Sequence, residues 1–154
     1  MEVKVRRFAC LFFLIASIGC ALPAQTNSTM SNNVITDGPR LTLTAKKRSA
    51  EQPLPSGLGE AEKYKFVEVT VVSVENPRLH SISFDVNHIA PNAETTFLGT
   101  FSLFPADNPG KFIVPTKGKL AAGGRLILSL RLPAEVRDDD PIRITANEMR
   151  LRED

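Results

Sequence analysis

Tryptophan is absent from this 154-residue chain, tyrosine occurs once, and cysteine and histidine occur twice each. Both cysteines, Cys10 and Cys20, lie in an apolar N-terminal segment. The remainder therefore cannot form an internal disulfide, a cysteine-ligated zinc site or a cysteine nucleophile, and its core alone must stabilise it. The net charge is only +2. Lys4, Arg6, Arg7 and Glu2 precede Gln25, and taking these three basic and one acidic residues from totals of 19 and 17 leaves equal numbers of each sign. The basic character belongs to the N-terminus, so no basic surface is implied and nucleic acid is not an expected partner. No apolar run approaches the ~20 residues that a membrane-crossing helix needs.

The N-terminal segment has the grammar of an export signal. Lys4, Arg6 and Arg7 form a positive start, residues 8–18 form a short apolar core, and small residues follow. Cleavage after Ala24 gives a signal peptide of residues 1–24 and an exported chain, periplasmic or secreted, beginning at Gln25. The alternative is Ser17-Ile18-Gly19-Cys20, which resembles a bacterial lipobox although Ser17 replaces the usual aliphatic residue. Lipidation at Cys20 would then anchor the chain to a membrane.

Residues 25–59 are polar and rich in Asn, Ser, Thr and Pro. Such a stretch buries too little apolar area to offset its ordering entropy, so a flexible tether is expected. Leu41-Thr42-Leu43-Thr44 alternates and is the one place there where a strand is suggested.

From Tyr64 onward the hydrophobic period is two. Residues 65–72 are rich in β-branched types. Residues 79–87 place His80, Ile82, Phe84 and Val86 on one face. Residues 96–104 place Phe97, Phe101 and Leu103 inward, with Gly99 where a neighbouring strand or ring approaches closely. Residues 111–114 form a short strand. Gly123-Gly124 opens a strand in which Leu126, Leu128, Leu130 and Leu132 alternate with polar residues. Asp138 to Pro141 turns into a strand over 142–146; no helix is signalled, and 147–152 offers at most one turn. Asn76-Pro77, Pro91-Asn92 and Asp107-Asn108-Pro109-Gly110 mark turns. The pattern predicts an all-β domain over residues 60–154, an antiparallel β-sandwich of about six to seven strands. With so few other aromatics, Phe66, Phe84, Phe97, Phe101, Phe104 and Phe112 are expected in the core.

Catalytic signatures are not found. On one strand His80 and His88 would be about 26 Å apart, too far to share a metal. Asp138-Asp139-Asp140 lacks the ligand spacing and glycine of an EF-hand loop and reads as a solvated turn. No serine sits in a G-x-S-x-G elbow, and Gly123-Gly124 lacks the Lys-Ser/Thr of a phosphate-binding loop. A carboxylate pair acting as a hydrolase is the remaining enzymatic alternative.

Phe84-Asp85-Val86-Asn87, followed after a loop by Phe97-Leu98-Gly99-Thr100-Phe101, resembles the C-terminal β-sandwich domain of plant-type polyphenol oxidases, the tyrosinases and catechol oxidases. The alternating leucines of 126–132, the acidic turn 138–140 and Ile142-Arg143-Ile144-Thr145 stand where that family has comparable strands and turn. In the family this sandwich shields a separate helical domain whose six histidines bind copper. Two histidines cannot supply that site, so no cofactor is implied. The resemblance implies a non-enzymatic module that binds or caps a partner protein, either a separately encoded oxidase or an envelope component. Contact with a membrane is expected only with lipidation at Cys20.

Overall fold

In the computed structural model residues 39–154 are described. The expected signal peptide, its cleavage point, Cys20 and residues 25–38 of the expected tether lie outside them. Nine strands carry the fold: β1 (Arg40–Thr44), β2 (Ser49–Pro53), β3 (Phe66–Glu75), β4 (Ser83–Ile89), β5 (Thr95–Ser102), β6 (Gly110–Pro115), β7 (Arg125–Arg131), β8 (Arg143–Asn147) and β9 (Arg150–Arg152). One 3-10 turn, Ala61–Lys63, precedes β3, and the described residues contain no α-helix. None of them forms a helix long and apolar enough to cross a membrane.

The strands form two antiparallel sheets. The first runs β1-β8-β3-β6, with β9 also paired to β3, and the second runs β2-β7-β4-β5. The two faces turned toward each other are apolar. Leu43, Val67, Val69 and Ile144 of the first sheet and Phe84, Val86, Leu126 and Leu128 of the second are fully buried in one core. Alternation is what puts them there, because side chains i and i+2 share a face. The leucines of β7 show it plainly: Leu126, Leu128 and Leu130 are buried between exposed Arg125 and Arg131.

The strand count exceeds the expectation at β2 and β9, and β1 fills the place where Leu41 to Thr44 suggested a strand. β1 and β2 fall inside the segment expected as a tether, so residues 40–53 belong to the fold. β1 pairs with β8 and β2 with β7, and each closes one edge of its sheet. β9 lies within 147–152, where the sequence offered at most one helical turn. It pairs with Phe66–Glu68 while β8 pairs with the Val71–Glu75 half of β3. The break between β8 and β9 is held from the other sheet. The buried Gln52 of β2 receives the Met149 N–H on its Oε1 (2.6 Å) and donates its Nε2 to the Met149 carbonyl (2.8 Å). One side-chain amide thus satisfies both backbone groups where the ladder lapses.

Three of the phenylalanines expected in the core are outside it: Phe97 is 53% exposed, Phe104 is 96% exposed, and Phe66 is half-buried on the outer face of β3, where Val67, Val69 and Val71 take the inward positions. A bulge explains Phe97. The β4–β5 register shifts between Val86 and Asn87, so Gly99 opposes Val86 while Phe97 opposes Asn87. Leu98 is the extra residue and is buried. One inserted residue transfers everything beyond it to the other face. Phe104 simply continues the alternation past Leu103, which is buried, and so points to solvent. Phe84, Phe101 and Phe112 do face inward. Phe101 stacks on Phe84, its cross-strand partner (centroids 4.8 Å apart), and on Phe112 of the opposite sheet (4.3 Å). Gly99 is the expected point of close approach: a Cβ there would lie 2.8 Å from Val114 Cγ1 of β6.

Candidate functional site

The residues of the Phe84–Phe101 motif are brought together, but as a hairpin rather than a reactive centre. Phe84 pairs with Phe101, Asp85 with Thr100, Val86 with Gly99 and Asn87 with Phe97. Phe84, Val86, Gly99 and Phe101 line the core side. Asp85, Asn87 and Phe97 lie on the outer face of the second sheet. There Asp85, only 8% exposed, accepts a hydrogen bond from Thr100 Oγ1 (2.7 Å) and is ion-paired to Arg131 of β7. These contacts tie β5, β4 and β7 together across the sheet.

His80 and His88 do not share a strand. His80 precedes β4 in a loop, and His88 is buried on β4 with Nε2 3.4 Å from the Gly123 carbonyl. Among the described residues no group of three or more His, Cys, Asp or Glu side chains is placed to hold a metal ion.

At one end of the sandwich the loops after β3, β5 and β7 meet and are bonded to one another. Asn76 organises the first loop. It is buried; its Nδ2 donates to the carbonyls of His80 (2.8 Å) and Ala106 (3.1 Å), and its Oδ1 accepts the His80 N–H (3.1 Å). Its own carbonyl accepts the Leu79 N–H (2.9 Å), closing a turn in which Leu79 sits at φ 53°. A leucine there is a left-handed outlier, costing on the order of 1–3 kcal/mol, and it persists only where its surroundings fix it. The second loop, 103–109, is tied in through Ala106 and through Leu103 N–H to the Ile82 carbonyl (3.0 Å); its Phe104–Pro105 bond is cis.

The third loop carries the acidic run. Asp138 and Asp139 are exposed, whereas Asp140 is buried. Arg78 Nη1 donates to Asp140 Oδ1 (2.7 Å), and the Arg137 backbone N–H donates to Oδ2 (2.8 Å). The Arg137 hydrogen bond, more than the nearby charges of Arg78, His80 and Arg137, holds the Asp140 carboxyl below its ordinary 3.8 against the opposing effect of burial. The expected solvated turn is thus half right: two carboxylates are in water and the third locks the loop. Beside it, His80 Nε2 is buried and makes no hydrogen bond.

Carboxylates elsewhere are likewise engaged. Glu68 is buried on the outer face of the first sheet beneath Arg152 (3.0 Å) and Lys111 (3.2 Å). The Arg152 hydrogen bond above all, with Lys111 adding to it, lowers its pKa from 4.5 although burial opposes them. Glu68, Asp85 and Asp140 occupy three different parts of the surface, so these buried carboxylates do not face one another as a hydrolytic pair would.

At the loop end, then, Asn76, Arg78 and Asp140 hold the loops, and beside the exposed carboxylates of Asp138 and Asp139 two large apolar side chains reach the surface: Phe104 and Leu79, the latter 61% exposed. Sequence reading assigned Phe104 to the core and passed over Leu79. The alternation past Leu103 was the available signal for Phe104; nothing in a linear reading marks Leu79. The chain matches no protein-family model and no curated protein.

Proposed function

We propose that this is an exported, non-enzymatic β-sandwich module that binds and caps a partner protein through its loop end. The observation that carries the reading is the pair of exposed apolar side chains, Phe104 and Leu79, on loops braced by Asn76, Arg78 and Asp140. Large apolar side chains held on braced loops are the kind of anchor that docking uses, because bracing reduces the entropy lost on binding. The balanced charge argues for a protein rather than a nucleic acid as the partner. The resemblance to the shielding sandwich of polyphenol oxidases suggests a partner with its own active centre, such as a separately encoded oxidase, or an envelope component.

Site-directed photo-crosslinking in the native envelope tests this. A photoreactive residue in place of Phe104 should capture one discrete protein, and Leu79→Ser should diminish that adduct. The same residue in place of Glu51, exposed on the outer face of the second sheet, should capture none. No adduct at position 104, or the same adduct at both positions, refutes the reading. Intact mass of the mature protein separates a chain starting at Gln25 from one acylated at Cys20.

A further inference from the structure

Opposite the loop end, where β2 finishes and β3 begins, lies a cavity of about 310 Å³. Leu54, Leu58, Met149 and Leu151, with Pro53 and Pro55, make its walls apolar. Its floor is fixed. Gln52 is bonded twice to the Met149 backbone, and Leu54 N–H donates to the Gly124 carbonyl (3.0 Å). A preformed apolar cavity of a few hundred Å³ with few polar groups is the usual form of a small-ligand site. Besides Gln52, two polar residues line it, Tyr64, the sole tyrosine of the chain, and Glu148. Neither side chain has a hydrogen-bond or ion-pair partner among the described residues. Glu148 is exposed and so can meet a ligand without first breaking an internal contact.

From this combination we infer that the cavity is a binding site for a small amphiphilic organic cation, an apolar or aromatic body bearing one ammonium group. The body occupies the leucine, methionine and proline walls. The ammonium meets Glu148 at the mouth, close to the ring and hydroxyl of Tyr64, both of which favour a cation. An anion of the same shape would meet Glu148 as a like charge. The site is separate from the loop end and does not depend on partner docking there.

The test is a titration of the isotopically labelled full chain, followed by amide NMR shifts, with 2-phenylethylamine, 2-phenylethanol and 3-phenylpropionate as probes. The amine should shift the amides of Leu54, Leu58, Met149 and Leu151 saturably. The alcohol should bind about fivefold more weakly, and the carboxylate more weakly still. Glu148→Gln should weaken the amine about fivefold and abolish its advantage over the alcohol, as loss of one solvent-accessible charge pair implies. Glu135→Gln, in the exposed loop after β7, should leave the amine titration unchanged. The inference is overturned if the amine gives no saturable shift at these amides, if the carboxylate binds as well as the amine, or if Glu148→Gln leaves the amine's affinity unchanged.

Discussion

Phe101 and Phe97 stand four residues apart on one strand, and strict alternation makes them equivalent. The bulge at Leu98–Gly99 makes them opposites, and truncating each to alanine measures the difference. Phe101 is partly buried and joins the two sheets through its stacks on Phe84 and Phe112. Complete burial of a phenylalanine is lost at about 3–5 kcal/mol, and each stacked pair adds roughly 0.5–1.5 kcal/mol. Because Phe101 keeps some contact with solvent, about 3 kcal/mol is the appropriate figure. For a domain of this size that lowers Tm by roughly 10 °C. Phe97, more than half exposed, should cost within about 0.5 kcal/mol and move Tm by no more than about 2 °C. Thermal unfolding followed by far-UV circular dichroism decides the matter. Equal shifts for the two variants, or the larger shift for Phe97→Ala, would refute the register.

Gly124 lies at φ 76°, and a Cβ there would come within 2.1 Å of the Ile89 carbonyl oxygen. Gly124→Ala should therefore displace backbone and cost at least about 2 kcal/mol, read as a lowered urea midpoint. Gln52→Leu should strand the Met149 N–H and carbonyl and cost about 2–4 kcal/mol in the same measurement. The pH dependence follows from Glu68 and Asp140, whose folded pKa values lie below their ordinary 4.5 and 3.8. Their contribution is fully present above those values and is lost as pH falls through the folded ones, because the unfolded chain takes up the protons first. Stability should thus hold from neutral pH down to about pH 5 and decline below it. Glu68→Gln should be less stable than wild type at neutral pH, with the gap closing in acid.

The all-β class and the central strands were legible because their inward residues are simple hydrocarbons at period two, as in Leu126, Leu128 and Leu130. The edges were not. In β2 the inward positions are Ala50 and Gln52, one small and one polar, and the partner that makes Gln52 acceptable is a backbone 97 residues away. β9 offers only Arg-Leu-Arg, and its pairing depends on β3. The bulge in β5 leaves the composition of the strand unchanged while reversing Phe97. The turns at Asn76-Pro77, Asp107 to Gly110 and Asp138 to Pro141 could each be read locally. Their convergence could not, because it rests on sheet order and on bonds such as Asn76 to Ala106 and Arg78 to Asp140. The candidate site is a product of topology assembled from turns that each look ordinary alone.

Binding at the loop end requires that Phe104 serve recognition and not folding. The most direct measurement is the Kd of the Phe104→Ser variant for the protein crosslinked at that position, taken beside the variant's urea midpoint. A central anchor is worth about 2 kcal/mol or more, so affinity should fall roughly thirtyfold while the midpoint stays at the wild-type value, since a side chain 96% exposed contributes little to the core. An unchanged Kd at an unchanged midpoint would contradict partner capping through this end.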